Sequence, residues 1–350
     1  EFRRVLFRSY NFSGYSGSVR IYFMFKMKSR VFVTGSLWSL LIYLVYSDLK
    51  DIKRTHYFFV DTGIHSSVRK NIKCYVFNTV KWDKYHWRIY QIYSIFSPLL
   101  YRLRWPYLFF SDIYGIDQGR SCQAIIGRSK YTLIEDGALD YTISREKKYR
   151  RFDLIKKILW GPIVDHDFGN NNLCKKILLT QPPTNDFLKE KAFVVDLLEY
   201  WNKSSKEKQN FILSVFNINK EDLLKISGRK VLLLTQPLSE DKIYTEEEKV
   251  KIYKDLIDKY GEENIIIKIH PREKTDYTKY FPKATVFDKI VQLQIFSLLG
   301  VRFNTVVTIC STAALSLMNE NTILDFKGTT SFPLVEKKYG KIELTDFLIN

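Results

Sequence analysis

Val31–Ser47 reads VFVTGSLWSLLIYLVYS, 17 positions without a charge, directly after the basic KMKSR of Lys26–Arg30. An uncharged run of this length sits at the lower limit for crossing a bilayer, and the basic flank gives it the look of a signal anchor. Its interior argues otherwise. Three residues rich in β-branching (Val31–Val33) meet the small turn Thr34-Gly35-Ser36, and only then does an apolar helical stretch begin. A first strand passes into its helix in this way in an α/β domain. The segment is therefore read as strand, turn and helix.

The same alternation continues outward. Strands are predicted at His56–Gly63 (HYFFVDTG), Asn71–Thr79 (NIKCYVFNT), Tyr107–Asp112 (YLFFSD) and Tyr131–Gly137 (YTLIEDG), with helices over most of Tyr85–Tyr107 and over Gly119–Gly127. The pattern weakens between Ala138 and Gly169, and KKILLTQPP (Lys175–Pro183) is a further strand. A polar helical stretch, Asp186–Ile226, reads as a connection. A second alternation starts at Gly228. It has strands in GRKVLLLTQPL, ENIIIKIHPRE, ATVFD, TVVTIC and NTILDFKG, and helices at Glu246–Tyr260, VQLQIFSLL and Ser311–Asn319. Short turns between alternating elements imply parallel sheets with helices on both faces. The expected fold is α/β, two Rossmann-like domains facing a cleft: residues 28–185, a helical linker 186–227, and residues 228–350. Ligands are expected at the carboxyl ends of the strands.

Residues 1–9, EFRRVLFRS, match one translation of a common sequencing-adaptor sequence and are set aside as an assembly artefact. Residues 1–27 are read as that artefact plus an untranslated leader, with a natural start at Met24 or Met27. Without the first nine residues the formal charge of +17 falls by two, to +15. Such a balance calls for an acidic partner. Basic and aromatic residues interleave most densely over Tyr85–Tyr107, YHWRIYQIYSIFSPLLYRLRWPY. Two readings compete there: a surface for anionic lipid or lipopolysaccharide, or a buried helix with snorkelling Arg and Lys at its edges. No nucleic-acid motif accompanies the charge. Cys74, Cys122, Cys174 and Cys310 form no CxxC and have no histidine at metal-ligand spacing, so they are read as scattered buried thiols. No Walker pattern, GxGxxG or HExxH occurs.

Four motifs carry chemistry. In IIIKIHPRE (Ile265–Glu273), His270 ends a β-branched run and Pro271 forbids its continuation. An imidazole at a strand's carboxyl end can donate to a phosphate oxygen or act as a general acid. Alone it reads more readily as a capped core histidine, and the other three motifs change that. Glu135-Asp136-Gly137 places two mutually repelling carboxylates at another strand end, where one can take a proton from an attacking hydroxyl. In TICSTAA, Ser311 and Thr312 stand where a strand meets a helix, a place for an anion or a plain N-cap. TQPLSED (Thr235–Asp241) follows a further strand and supplies Asp241 as a reserve base.

YTLIEDG, KIHPRE and CSTAA, in that order from Lys28 onward, resemble the lipooligosaccharide sialyltransferases of glycosyltransferase family 52. The resemblance implies a GT-B fold, an inverting reaction, CMP-activated sialic acid as donor, and no metal or other cofactor. It implies a galactose-terminated lipooligosaccharide or capsule glycan as acceptor, at the cytoplasmic face of the inner membrane and in peripheral contact with anionic lipid. Glu135 or Asp136 would be the base. His270, with Ser311 and Thr312, would stabilise the departing phosphate. Gln236, Pro237, Pro271 and Arg272 would be nucleotide contacts, and Thr34, Gly35 and Ser36 would line the acceptor side. A carboxylate for the nucleotide ribose is expected near Phe287, and only Asp288 is available. Proteins similar to this family also transfer glucose, so another nucleotide sugar is the alternative donor. A non-catalytic basic module is the competing class. A homodimer, the linkage and the choice of base are left open.

Overall fold

The computed structural model describes residues 29–60, 63–77, 87–137, 153–164, 168–183, 186–226, 228, 230–318 and 320–348. The leader expected over 1–27 lies outside them. Seven parallel strands form the first sheet: β1 Arg30–Thr34, β2 Thr55–Val60, β3 Cys74–Phe77, β4 Asp112–Gly115, β5 Tyr131–Ile134, β6 Cys174–Leu179 and β7 Ala192–Val194, in the order β3-β2-β1-β4-β5-β6-β7. Five parallel strands form the second: β8 Val231–Leu234, β9 Ile265–Lys268, β10 Thr285–Phe287, β11 Thr305–Thr308 and β12 Ile323–Phe326, in the order β10-β9-β8-β11-β12. Both are doubly wound, and the strand order reverses between β1 and β4 and between β8 and β11. Those switch points open crevices at the carboxyl ends. The fold is of GT-B type, two Rossmann-like domains facing a cleft.

The opening stretch folds as strand, turn and helix. β1 ends at Thr34, Ser36 caps the helix Leu37–Tyr46 by accepting from the N–H groups of Trp38 and Ser39, and eight of that helix's ten residues are buried. No helix among the described residues is long and apolar enough to cross a membrane.

Strand parity divides the core. Val31 and Val33 face one layer while Phe32, stacked on Tyr43 at 4.4 Å, faces the other. In the second sheet Val231 and Leu233 likewise part from Leu232 and Leu234. The Phe32 side and the Leu232 side belong to one continuous apolar cluster, filled between them by Trp201 and Ile212 of the connecting helices Leu197–Lys203 and Lys206–Val215 and by Phe216 just past the second. Lys208 adds a buried link. Its ammonium donates to the Val45 carbonyl at 2.6 Å, near the end of the helix Leu37–Tyr46. A cation is favoured there by the orphan carbonyls and the helix dipole.

Three elements differ from the sequence reading. YLFFSD is not a strand: Pro106 opens a 3₁₀ turn, Pro106–Phe109, and the strand begins at Asp112. DIYG escaped notice because Asp and Gly are poor strand formers. Gly115 is required there, since at φ 147° a Cβ would lie 1.9 Å from the Val33 carbonyl oxygen across the switch point. The stretch after Asp186 is not wholly helical, because Ala192–Val194 joins the edge of the first sheet. The segment after Ser311 is a 3₁₀ helix, Thr312–Leu317, rather than an α-helix, and the Ser311 side chain does not cap it.

Candidate active site at the strand carboxyl ends

Glu135 and Asp136 follow β5, and their surroundings separate them. Glu135 is 5% exposed. Its Oε1 accepts from the Trp38 indole at 2.9 Å, and its Oε2 accepts from the Thr180 N–H at 2.7 Å and the Thr180 hydroxyl at 2.8 Å. The Ser39 hydroxyl donates to its carbonyl at 2.7 Å. A carboxylate with both oxygens bound to donors is held, and hydrogen bonds to a charged acceptor contribute roughly 1.5–3 kcal/mol each. Glu135 thus fastens the end of β5 to the helix Leu37–Tyr46 and to the segment after β6. Asp136, one residue on, is part-exposed.

His270 stands past the end of β9. Its backbone N–H donates to Glu273 Oε2 at 2.9 Å, and its Nδ1 accepts from the Arg272 N–H at 3.2 Å. The occupied Nδ1 leaves the proton of the neutral ring on Nε2. Burial, then the nearby Arg272 and Lys268 charges, hold this imidazole below its ordinary range, so near neutral pH it is an uncharged donor. Pro271 and Arg272 are exposed on the same turn.

The support beneath this turn was not recognised in the sequence. The Glu273 side chain is fully buried and accepts from the Thr235 hydroxyl and from the Tyr277 hydroxyl at 2.7 Å. Burial raises its pKa. Lys249, also fully buried, lies 3.1 Å from Glu240, 3.2 Å from Glu246 and 3.8 Å from Glu273. A signal was present. Lys249, Tyr253 and Ile257 form the buried stripe of their helix at i, i+4 and i+8, and a lysine on such a stripe needs carboxylates around it.

Asp241, the reserve base, is engaged elsewhere. Arg272 clamps it with two bonds of 2.6 and 2.9 Å, and the Tyr339 hydroxyl donates at 2.5 Å. The Arg272 guanidinium, aided by Tyr339, holds its carboxyl below the usual range despite partial burial. The same fork occupies Arg272, one of the expected nucleotide contacts.

At the second switch point the Cys310 thiol donates to Gln236 Oε1 at 3.0 Å, joining the segments after β8 and β11. Pro237 is buried and shapes the loop. Ser311 is part-exposed and Thr312 exposed. Asp288 lies in a cavity of about 410 Å³ with Ile269, Thr275, Lys274 and Lys289, adjoining the His270 turn. At the first switch point Thr34 is fully buried, so its hydroxyl is spent on the turn, accepting from the Ser36 N–H at 2.9 Å. Ser36 is the helix cap, and Gly35 lies under Gly63, where a Cβ would be 1.6 Å from the Gly35 oxygen. Among the described residues no group of three or more His, Cys, Asp or Glu side chains could hold a metal ion. Cys122, Cys174 and Cys310 are buried, and Cys74 is half-buried.

A family model described as glycosyltransferase family 52 matches residues 108–329, a span that holds Glu135, Asp136, Asp241, His270, Ser311 and Thr312. The chain belongs to glycosyltransferase family 52. It is 36% identical over 232 residues to an uncharacterised protein of Haemophilus influenzae, covering 66% of this chain and 72% of that one. Two solved structures share its fold. One is the GT-B domain of a Photobacterium damselae sialyltransferase, with TM-score 0.51, 11% identity, and 85% and 89% of the two chains covered. The other is a 2,6-sialyltransferase of Photobacterium sp. JT-ISH-224 bound to CMP and lactose, with TM-score 0.52, 9% identity, and 89% and 76% covered. As a family 52 member the chain is a glycosyltransferase, and the non-catalytic module is set aside.

Proposed function

We propose that this enzyme moves sialic acid from CMP-sialic acid to a galactose-terminated glycan of a lipooligosaccharide or capsule, working at the membrane surface. The observation that carries the reading is the His270 turn of a family 52 chain, with Nε2–H the donor and a cavity holding Asp288 beside it. The bound CMP and lactose of the Photobacterium relative support a nucleotide-sugar donor and a galactoside acceptor.

In this reading an acceptor hydroxyl attacks the anomeric carbon of the sialyl donor. The new carbon–oxygen bond forms as the bond to the CMP phosphate breaks, and configuration inverts. Asp136 takes the hydroxyl proton, while Glu135 fixes the strand end that carries it. Positive charge develops on the sugar and negative charge on the departing phosphate. His270 Nε2–H and the Ser311 and Thr312 hydroxyls donate to that phosphate, with no metal called upon. Asp288 holds the ribose. Asp241 and Arg272 are paired with each other and take no part, the His270 turn being held by Glu273.

The test is thermal unfolding with CMP, UDP, GDP and ADP, with and without EDTA, since a ligand of the native state raises its apparent stability. A CMP-selective rise that survives EDTA is expected. A rise with UDP alone would replace the donor, and loss of the CMP effect in EDTA would overturn the metal-free reading.

A further inference from the structure

Gln236 stands between the two loops that carry His270 and Ser311. β8 has β9 on one side and β11 on the other. Leu234, Lys268 and Thr308, the last residues of those strands, lie in register. Gln236, His270 and Cys310 each follow two residues later, and Ser311 comes next. Hydrogen bonds stitch the three loops together. Glu273 Oε2 accepts from the Thr235 hydroxyl and from the His270 N–H, so the residue before Gln236 and the imidazole turn share one oxygen. On the other side the Thr308 hydroxyl accepts from the Ser311 N–H at 3.1 Å and donates to the Leu234 carbonyl at 3.4 Å.

Gln236 is held at both ends. The hydroxyl of the fully buried Tyr253 accepts its backbone N–H at 2.7 Å, and the Cys310 thiol donates to its Oε1 at 3.0 Å. Burial keeps that thiol above its ordinary pKa, so near neutral pH it carries its proton and acts as the donor. A donor facing Gln236 selects the amide oxygen, and the NH2 end is turned away from Cys310. Among the described residues nothing accepts from that NH2, and the side chain is half-buried rather than enclosed. Two N–H donors of fixed direction are thus left at a switch point, where ligands bind in open α/β sheets.

The chemistry of the donor supplies an acceptor for them. In CMP-sialic acid the carbon that bears the phosphate also bears a carboxylate. With His270 and Ser311 on the phosphate, an amide between them meets the second anion on that same carbon. We propose that the Gln236 NH2 binds the sialyl carboxylate and so selects donors that carry one, and that Cys310 is the positioning residue that sets which way the amide faces. This moves Gln236 from the nucleotide, where the resemblance placed it, to the sugar. A nucleotide sugar such as a glucosyl donor has hydrogen in place of the carboxylate and makes no use of the amide. The inference rests on the sialyl-donor reading and names the part of the donor that the chain reads.

The experiment is calorimetric titration of the whole chain with CMP, which lacks the carboxylate, and with a fluorinated, non-transferable analogue of CMP-sialic acid. Gln236→Leu should lose roughly 10–100-fold more affinity for the analogue than for CMP, the usual worth of a hydrogen bond to a charged group. Cys310→Ala frees the amide to turn and should weaken the analogue more than CMP, while Cys310→Ser restores a donor and with it the affinity. Equal loss of both ligands in Gln236→Leu, or loss of neither, overturns the proposal. Wild-type affinity for the analogue in Cys310→Ala overturns the role given to Cys310. A wild-type chain that binds neither ligand sinks the donor reading and this inference together, a result distinct from losing the inference alone.

Discussion

Glu273 accepts the backbone N–H of His270 at 2.9 Å while its side chain stays wholly inside the protein. The last residue of IIIKIHPRE thus fixes the turn that its histidine begins. Pro271 stops the strand, and Glu273 sets the angle at which the chain leaves it. Glu273→Gln keeps the shape and removes the charge facing Lys249. Transfer should fall in kcat more than in KM, as expected when a positioned donor is lost from the transition state. Glu273→Ala strips a buried cluster of one partner and should cost about 3–5 kcal/mol in urea unfolding. An unchanged kcat in Glu273→Gln would show that the turn holds itself.

Glu135 and Asp136 should separate cleanly. Glu135→Gln places an amide where three donors converge, so roughly 1–3 kcal/mol of stability should be lost. Asp136→Asn alters a part-exposed side chain, and unfolding should change little. Transfer by Asp136→Asn should drop roughly 10²–10⁴-fold, the usual contribution of a general base. Full turnover by Asp136→Asn in an acceptor-saturated assay would remove it from the mechanism.

Asp241→Asn tests the alternative base. Its partner Arg272 is 57% exposed, but the Asp241 side chain is only 15% exposed and also accepts from Tyr339, so an amide there should cost roughly 1–3 kcal/mol. Stability should fall by that amount while turnover stays close to wild type. A turnover loss as deep as that expected of Asp136→Asn would reverse the assignment.

Lys268 gives a pH signature. Burial pushes its amine down from 10.5 to about 8, with Glu273 and Asp288 only partly opposing. Between those two values the unfolded chain binds the proton that the folded chain releases, so this group's contribution to stability rises with pH through that window. Below it the buried cation costs about 3 kcal/mol. Lys268→Met should be more stable than wild type at neutral pH and lose most of that advantage near pH 10.5. An advantage independent of pH, by chemical denaturation, would mean that the amine stays charged throughout.

The alternation of strands was legible because β-branched runs such as Val31–Val33 and Ile265–Ile267 end in turns, and parallel pairing then follows from short crossovers. Ala192–Val194 was not legible. Three residues in a polar stretch carry no periodicity, and only the open edge of β6 makes them a strand. At the site, the sequence points to Glu135, Asp136 and His270 by their place after strands. It cannot divide Glu135 from Asp136, because Trp38 and Thr180, the side chains that do so, are 97 and 45 residues away. Asp241 looked available for the same reason, since nothing in TQPLSED announces a fork with Arg272. The helix Trp87–Arg104 left two readings open because its apolar content is the same in both. Only the burial of Ser94, Ser97 and Arg102 tells which face looks outward.

Parallel strands give the first sheet two unlike ends, joined by backbone of fixed length. The six residues of β6 span about 20 Å at the usual rise. Asp136 stands past the carboxyl end of β5, and Lys130 stands at its amino end. Whatever holds the acceptor must therefore reach the carboxyl end, and contacts made at the amino end lie a strand's length from the sugar that is moved. Lys130→Glu should accordingly leave transfer to a soluble galactoside unchanged, and a loss there would show that the two ends are coupled.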